Sequence, residues 1–258
     1  MQEKKIQFWD TIINYKIFDV LNPKEKIVIL HWWGWSSDSW FEVWEKLQKN
    51  WYSVIIPDIP CASKKTNCKK IFNLKDYSIL IENFIKELNL DNILLWGHSN
   101  WWAISIKLVN NIQINIKRLI LNNSAWIRND KKRSFKRKIF NFLVKPFKNF
   151  KKIKWLKKLR ELFYKAIWSH DYLNAEKNPK LKETYLNMIK SDLKQEIKNI
   201  NLNTLLIWWW KDNYTPISDA YFMRNNIKKS KLVILEDQTH WIHLKNPWLL
   251  VDTFLKNI

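Results

Sequence analysis

The chain reads as an α/β protein: a mostly parallel central sheet with helices on both faces. Three observations carry that reading. Short β-branched runs such as Ile27 to Leu30 recur without polar alternation, as strands covered on both faces do. Stretches with one apolar helical face, such as Leu74 to Leu88, separate them. The strand–helix order repeats, and such crossover units lay parallel strands side by side.

The elements follow in order. Thr11 to Phe18 partly alternates and is expected as a strand. Ile27 to Leu30 is a buried strand that ends at His31. Ser39 to Lys49 reads as a helix, with Phe41, Val43, Trp44 and Leu47 on its packed face. Ser53 to Ile56 is the next strand and ends at Pro57-Asp58. In Leu74 to Leu88 the residues Tyr77, Ile81, Phe84, Ile85 and Leu88 recur at helical spacing. Asn73 can cap that helix with Asp76 three residues on, a variant of the capping box. Ile93 to Trp96 is a strand that runs into Gly97-His98-Ser99, and a helix with Ile104, Ile106, Leu108 and Val109 follows. Arg118 to Leu121 is a strand followed by Asn122-Asn123-Ser124. The last elements are a strand from Thr204 to Trp208, a helix from about Pro216 to Asn226, a strand from Lys231 to Leu235 and a helix from about Pro247 to Lys256. Pro216 and Pro247 both suit a first helical turn.

Helix-like sequence from about Trp126 to Asn199 interrupts the alternation. The expected organisation is therefore a core of residues 1–125 and 200–258, with a helical, basic cap of residues 126–199 inserted in it. A chain of 258 residues can bury a sizeable core. The net charge of +21 is uneven: residues 126–165 carry 16 Lys/Arg against 2 Asp/Glu, two thirds of the excess. Such a stretch reads first as a solvated helical face and second as an attraction for anionic partners. Weak association of residues 126–165 with anionic membrane is the partner expectation. No nucleic-acid-binding motif accompanies the charge, so nucleic acid is not expected. Cys61 and Cys68 form neither a disulfide framework nor a metal-ligand pattern and are read as inert thiols. Met1 to Asp19 has no charged segment leading into an apolar one, and no apolar run approaches the ~20 residues of a membrane span. The expected location is the cytoplasm.

Two glycines stand against 18 tryptophans. Average usage would make glycine roughly 7% of the chain. The tryptophans crowd where glycine is physically required, in His31-Trp32-Trp33-Gly34-Trp35, Gly97-His98-Ser99-Asn100-Trp101-Trp102 and Trp208-Trp209-Trp210-Lys211-Asp212. These are turn positions that need a positive φ or no side chain. Many of the tryptophans are therefore read as glycines in the cell, encoded by UGA in a bacterium that reads UGA as glycine. UGA is expected at 32, 35, 101, 102, 126, 168 and one or both of 209 and 210, and UGG at 33, 40 and 208.

In an open α/β sheet, ligands bind at the carboxyl ends of the strands. Ser99, Asp212 and His240 each follow a strand, in the order that nucleophile-elbow hydrolases use. The elbow motif Gly-x-Ser-x-Gly has a steric logic, because the residues two before and two after the serine pack closely and must be tiny. Gly97 meets the first requirement and Trp101 violates the second. With glycine at 101 and 102 the segment becomes Gly-His-Ser-Asn-Gly-Gly.

On these residues the chain resembles the α/β-hydrolase superfamily, in its branch of small carboxylesterases and C–C-bond hydrolases with a helical cap. The resemblance includes His31-Trp32-Trp33-Gly34, Pro57-Asp58-Ile59-Pro60, the Ser99 elbow, Trp208 to Asp212, Thr215-Pro216, and His240 with Pro247 seven residues later. The departures are the tryptophans, and Cys61 where the family usually has glycine. The resemblance implies an α/β-hydrolase fold with no metal and no cofactor. It implies Ser99 as nucleophile, His240 as general base, and Asp212 orienting the imidazole. It also implies an oxyanion hole made by the backbone N–H groups of Trp33 and Asn100. His31, Gly34, Gly97, His98 and Trp101 would support the elbow and the oxyanion turn. His243 is a rival to His240 that the spacing to Pro247 disfavours, and His98 and His170 read as structural or surface. Apolar cap residues, among them Phe140, Phe142, Phe147, Phe150 and Trp155, either line an acyl pocket or form the packed side of cap helices. The expected function is a serine hydrolase acting on a carboxylic ester or thioester of small to medium acyl group, with C–C hydrolysis as a variant. The alternative is a non-catalytic protein of the same fold that binds anionic membrane or nucleic acid through its basic cap.

Overall fold

Eight strands form one sheet in the order β1-β2-β4-β3-β5-β6-β7-β8. They are β1 (Gln2–Phe8), β2 (Thr11–Phe18), β3 (Glu25–Leu30), β4 (Tyr52–Asp58), β5 (Ile93–His98), β6 (Ile116–Asn122), β7 (Asn203–Trp209) and β8 (Ser230–Leu235). β2 runs antiparallel to both β1 and β4, and the remaining neighbours are parallel. The coordinates come from a computed structural model that describes residues 1–124, 175 and 178–258, except 64, 67, 112, 211, 213 and 214.

The apolar runs are strands because both faces of the sheet are covered. Val28, Leu30, Leu95, Leu119, Leu121, Leu206 and Trp208 point into one core. Their neighbours Ile27, Ile29, Leu94, Trp96, Ile120, Leu205, Ile207 and Trp209 point into the other. Successive side chains alternate across a strand, so a strand buried on both faces must be apolar throughout. On the first face lie α2 (Leu74–Glu87), α3 (Trp102–Val109), α4 (Pro179–Lys190), α5 (Lys194–Lys198) and α6 (Ile217–Asn226), through residues such as Phe84, Ile104, Tyr185, Ile197 and Met223. On the second lie α1 (Phe41–Lys49), α7 (Ile242–Lys245) and α8 (Pro247–Leu255), through Val43, Leu47, Ile242, Leu250 and Phe254.

Local chemistry sets the boundaries. The Asn73 side chain accepts the N–H groups of Lys75 and Asp76, while Asp76 accepts the Asn73 N–H at 2.8 Å, so the capping box is complete. Pro247 occupies the first turn of α8. Pro216 instead precedes its helix as the N-cap, with ψ at 141°, so it ends an extended segment. The segment Ser37–Trp40 is a 3-10 turn, and α1 begins only at Phe41. Phe41 does not join the packed face with Val43, Trp44 and Leu47; it is 50% exposed. β1 has no counterpart in the sequence reading. Its residues are exposed apart from Ile6 and Phe8, which pack half-buried against the first core, so only two alternate positions mark it.

Of the residues expected as an inserted cap, α4 and α5 are described, and they pack on the core. Thr184 Oγ1 accepts the Phe72 N–H at 3.0 Å, and Lys107 pairs with Glu196 at 2.5 Å. The basic stretch 126–165, the apolar residues expected to line an acyl pocket, and His170 lie outside the described residues.

The reading of Cys61 and Cys68 as free thiols is corrected: the two form a disulfide, with Cα atoms 4.2 Å apart. Cys61 takes a left-handed backbone with φ 63° in the turn after β4, which folds the chain back so that Cys68 reaches it. A single pair seven residues apart carries no spacing signature, so only the turn geometry shows the pairing. Trp9 and Trp51 also adopt left-handed φ, at 51° and 68°. Trp9 lies between β1 and β2. Trp51 follows the C-cap of α1 and donates its N–H to Gln48 O at 2.9 Å. Both are places where a residue without Cβ is at ease, and any other side chain costs roughly 1 kcal/mol or more.

Reduction, or Cys61→Ser with Cys68→Ser, releases a loop of this length from its cross-link and is expected to lower the unfolding free energy by about 2 kcal/mol. Urea titration of oxidised and reduced protein measures the difference, and thiol titration of the untreated protein should find none free.

Candidate active site

The site is built at the carboxyl ends of the strands. β5 ends at His98, and the chain turns at once through Ser99–Trp101 into α3. A turn this abrupt brings strand and helix backbones close together. A Cβ on Gly97 would lie 2.5 Å from Ser105 Oγ and 3.2 Å from the Trp102 Cα, so position 97 has no room for one. The same turn forces Ser99 to φ 53°, a left-handed conformation rare for residues other than glycine, asparagine and aspartate. It is the single serine among the described residues with positive φ.

The structure brings Ser99, His240 and Asp212 together. His240 Nε2 lies 3.0 Å from Ser99 Oγ, and His240 Nδ1 lies 2.6 Å from Asp212 Oδ2. Ser99, His240 and Asp212 are all buried at the side chain. The chain Asp212–His240–Ser99 fixes the tautomer. A proton on Nδ1 bonds the carboxylate, and a bare Nε2 faces the hydroxyl and can accept its proton.

Asp212 is held from several sides. Thr215 donates its N–H to Oδ1 at 3.1 Å and its hydroxyl to Oδ2 at 2.7 Å, and Asn123 Nδ2 donates to Oδ2. The Trp208 indole N–H donates to the Thr215 carbonyl at 3.3 Å and braces the turn. The sequence reading gave Asn123 and Thr215 no role at the site. The signal was present, since both lie just beyond strand ends, but the sequence does not show which loops meet.

His31 lies beneath the loop that carries Trp33 and Gly34. Its Nδ1–H donates to Trp32 O at 2.8 Å, and its Nε2 accepts the Ile59 N–H at 3.4 Å. Burial holds the His31 pKa below the usual imidazole value, and Asp58, 3.7 Å away, opposes that shift. Asp58 in turn accepts Ser37 N–H, Ser37 Oγ and Ser63 Oγ at 2.8 to 3.0 Å. Gly34, at φ 78°, donates to Ala62 O at 2.6 Å. Among the described residues, no turn or loop backbone hydrogen bond occupies the N–H groups of Trp33 and Asn100.

The tryptophans crowd this site. The Trp32 ring stands edge-on to His240 at 4.5 Å and packs against Trp241 at 4.0 Å. The elbow forms with Trp101 in place, its ring buried between Trp33 at 5.5 Å and Tyr77 at 5.2 Å. The indole N–H groups of Trp101 and Trp209 are buried without a partner among the described residues, as are those of Trp40 and Trp44. Each such donor typically costs about 1 to 3 kcal/mol.

Behind His240 lie two more buried imidazoles. His98 is 5.4 Å from His240 and 4.7 Å from His243, ring centre to ring centre, and His243 stacks on Trp40 at 5.0 Å. Burial, reinforced by the neighbouring imidazoles, pushes His98 well below the usual value and His243 down to about 3. Both are neutral at pH 7 and belong to the packing. Among the described residues no group of His, Cys, Asp and Glu could hold a metal ion, and no helix is long and apolar enough to cross a membrane.

A serine on a strand–helix turn, served by histidine and aspartate from later loops of a sheet in this order, is the architecture of α/β hydrolases. Residues 26–247 match the family described as alpha/beta hydrolase fold, and the chain belongs to that family. No curated protein matches the chain. Among solved structures it is similar to a putative lipase from Acinetobacter baumannii AYE, with TM-score 0.74, 21% identity and 99% and 90% of the two chains covered. It is also similar to an esterase from Exiguobacterium antarcticum, with TM-score 0.72, 19% identity and 99% and 98% covered. A bromoperoxidase from Bacillus anthracis aligns with TM-score 0.72, 15% identity and 99% and 100% covered. Similarity at this level of identity concerns the fold.

Gly97→Ala is expected to destabilise the chain by about 2 kcal/mol or more through overpacking. Adding Ser105→Ala removes the nearest clash and should recover part of that loss, leaving the contacts with the Cβ at position 105 and the Trp102 Cα, each at 3.2 Å. Thermal unfolding of the single and double variants measures both. A second expectation concerns acid. Below pH 6.5 the unfolded chain protonates histidines that the folded chain keeps neutral, so stability falls as pH falls, for His243 down to about pH 3. Each such histidine contributes a slope of about 1.4 kcal/mol per pH unit. Urea titrations at pH 6.5, 5.8 and 5 should show a slope shallower by about that amount in His243→Gln.

Proposed function

We propose that the protein is a serine hydrolase that cleaves a carboxylic ester or thioester of small to medium acyl group. One observation carries the reading: a serine held at φ 53° lies 3.0 Å from an imidazole whose other nitrogen lies 2.6 Å from a buried carboxylate. In this reading His240 Nε2 takes the Ser99 proton as Oγ attacks the acyl carbon. The N–H groups of Trp33 and Asn100 receive the developing oxyanion, and losing one such donor typically slows catalysis ~100 to 1000-fold. His240 then protonates the departing alkoxide or thiolate, leaving an acyl group on Ser99. Water, deprotonated by the same imidazole, attacks that acyl group and restores the serine. The esterase among the similar structures, and the one described as a putative lipase, support ester chemistry.

The recoding reading belongs to the same proposal. Glycine at 32 would clear the space beside His240 that an indole now fills, and glycine at 101 would remove a buried indole N–H without a partner. Indole N–H pairing alone does not sort the positions: Trp208, expected as a true tryptophan, donates to the Thr215 carbonyl, whereas Trp40, expected as one too, has no partner among the described residues. The left-handed Trp9 and Trp51 add two positions that sequence context alone does not mark.

Turnover of a short p-nitrophenyl ester should fall by about 10³-fold or more in Ser99→Ala. Turnover unchanged by the substitution, or absent from wild type, would overturn the hydrolase reading. Reading the gene at all 18 tryptophans, with peptide masses of protein from the native host, tests the recoding. UGA and glycine masses at 9, 32, 51 and 101 are expected, and UGG with tryptophan masses would refute it.

A further inference from the structure

We infer that Asn123 is a positioning residue that aims the Asp212 carboxylate at His240, an inference that rests on the reading of Ser99, His240 and Asp212 as the reacting set. Asn123 follows β6 and is fully buried. Its backbone is left-handed, at φ 40°, and its N–H is tied to Ile207 O in β7 at 3.0 Å. The side chain is thereby fixed at the base of the loop that carries Asp212.

Its amide has one useful end. Nδ2 donates to Asp212 Oδ2 and lies 3.2 Å from Thr215 Oγ1. Oδ1 is buried with no partner among the described residues. Turning the amide over would set its oxygen against the carboxylate, so the chemistry assigns the NH2 to Asp212. Asp212 Oδ2 then receives three donors: Asn123, the Thr215 hydroxyl at 2.7 Å and His240 Nδ1 at 2.6 Å. Thr215 is on the same turn as Asp212 and moves with it. Asn123 comes from a different strand end and anchors that turn to the sheet. It also takes up part of the carboxylate's charge, so that the oxygen facing His240 orients the imidazole without being free to swing away.

The backbone conformation explains why the residue is asparagine. Asparagine tolerates left-handed φ better than other residues with a side chain, and its short amide offers a donor without adding charge. Among the described residues, the titratable groups shown near His240 are Asp212 and the imidazoles of His98 and His243. None of them replaces the amide donor.

The test uses two variants that keep the backbone at ease, Asn123→Gly and Asn123→Asp. Three quantities are read: kcat, KM and the pH dependence of kcat/KM on a p-nitrophenyl ester. In Asn123→Gly, kcat should fall about tenfold with KM unchanged, and the acid limb should move up by about half a pH unit as the carboxylate loses a donor. In Asn123→Asp the two adjacent buried carboxyl groups share one proton, which restores a donor to Asp212, so the limb should move less than in Asn123→Gly. An acid limb that stays in place in both variants overturns the inference, whatever happens to stability. A readout independent of turnover separates this inference from the hydrolase reading. The low-field proton resonance of the His240–Asp212 hydrogen bond, assigned by its loss in His240→Gln, should shift in Asn123→Gly. A shifted resonance in a protein without ester turnover supports the positioning role and refutes the hydrolase reading. An unshifted resonance refutes the positioning role itself.

Discussion

The close approach of α3 to the end of β5, at Gly97, is the constraint on which the site depends. Because position 97 has no side chain, the helix begins within a few residues of the strand. That abrupt turn pushes Ser99 into a left-handed conformation and lifts its hydroxyl to within 3.0 Å of His240. A non-glycine residue in such a region costs roughly 1 to 3 kcal/mol and persists only where its surroundings over-determine it. Here the surroundings do so. β5 is paired on both sides, with β3 and β6, and α3 packs on the same core as α2.

The sheet then explains how residues far apart in sequence meet. β5, β6 and β7 are neighbours and parallel, so the loops after them open on one edge. Ser99, Asn123 and Asp212 come from those three loops, and His240 comes from the loop after β8, the next strand over. Each strand alone is an ordinary apolar run. Their register alone sets hydroxyl, imidazole and carboxylate at hydrogen-bond distances, across 141 residues in one case.

Much of this was legible in the sequence, for physical reasons. Strands buried on both faces show themselves as unbroken apolar runs, and the Asn73–Asp76 capping box as two residues three apart. The order of Ser99, Asp212 and His240 needs no knowledge of contacts. What escaped the sequence is what depends on tertiary meeting. β1 escaped because only Ile6 and Phe8, two alternate residues, are apolar and half-buried, too short a pattern to mark a strand. Phe41 escaped because an apolar residue at a helix start has no partner until the chain folds. The Cys61–Cys68 pairing depends on one left-handed turn, and the donors on Asp212 depend on which loops adjoin. The tryptophans are a different case. The sequence marked those beside the motifs, whereas Trp9 and Trp51 are marked only by backbone φ.

The edges of the sheet carry a consequence for how copies of this chain behave in concentrated solution. β1 is one edge and β8 the other. An unpaired strand edge is a template for another chain unless charge or brevity blunts it. β1 carries Lys4 and Lys5, one toward each face of an exposed strand, and β8 carries Lys231. A second molecule approaching either edge would bring its own lysines against these. Beneath β1 lies β2, whose Ile13, Tyr15 and Phe18 belong to the buried cores. The least apolar strand of the sheet thus works as a guard rail: it keeps a far more adhesive neighbour from meeting its counterpart on another molecule.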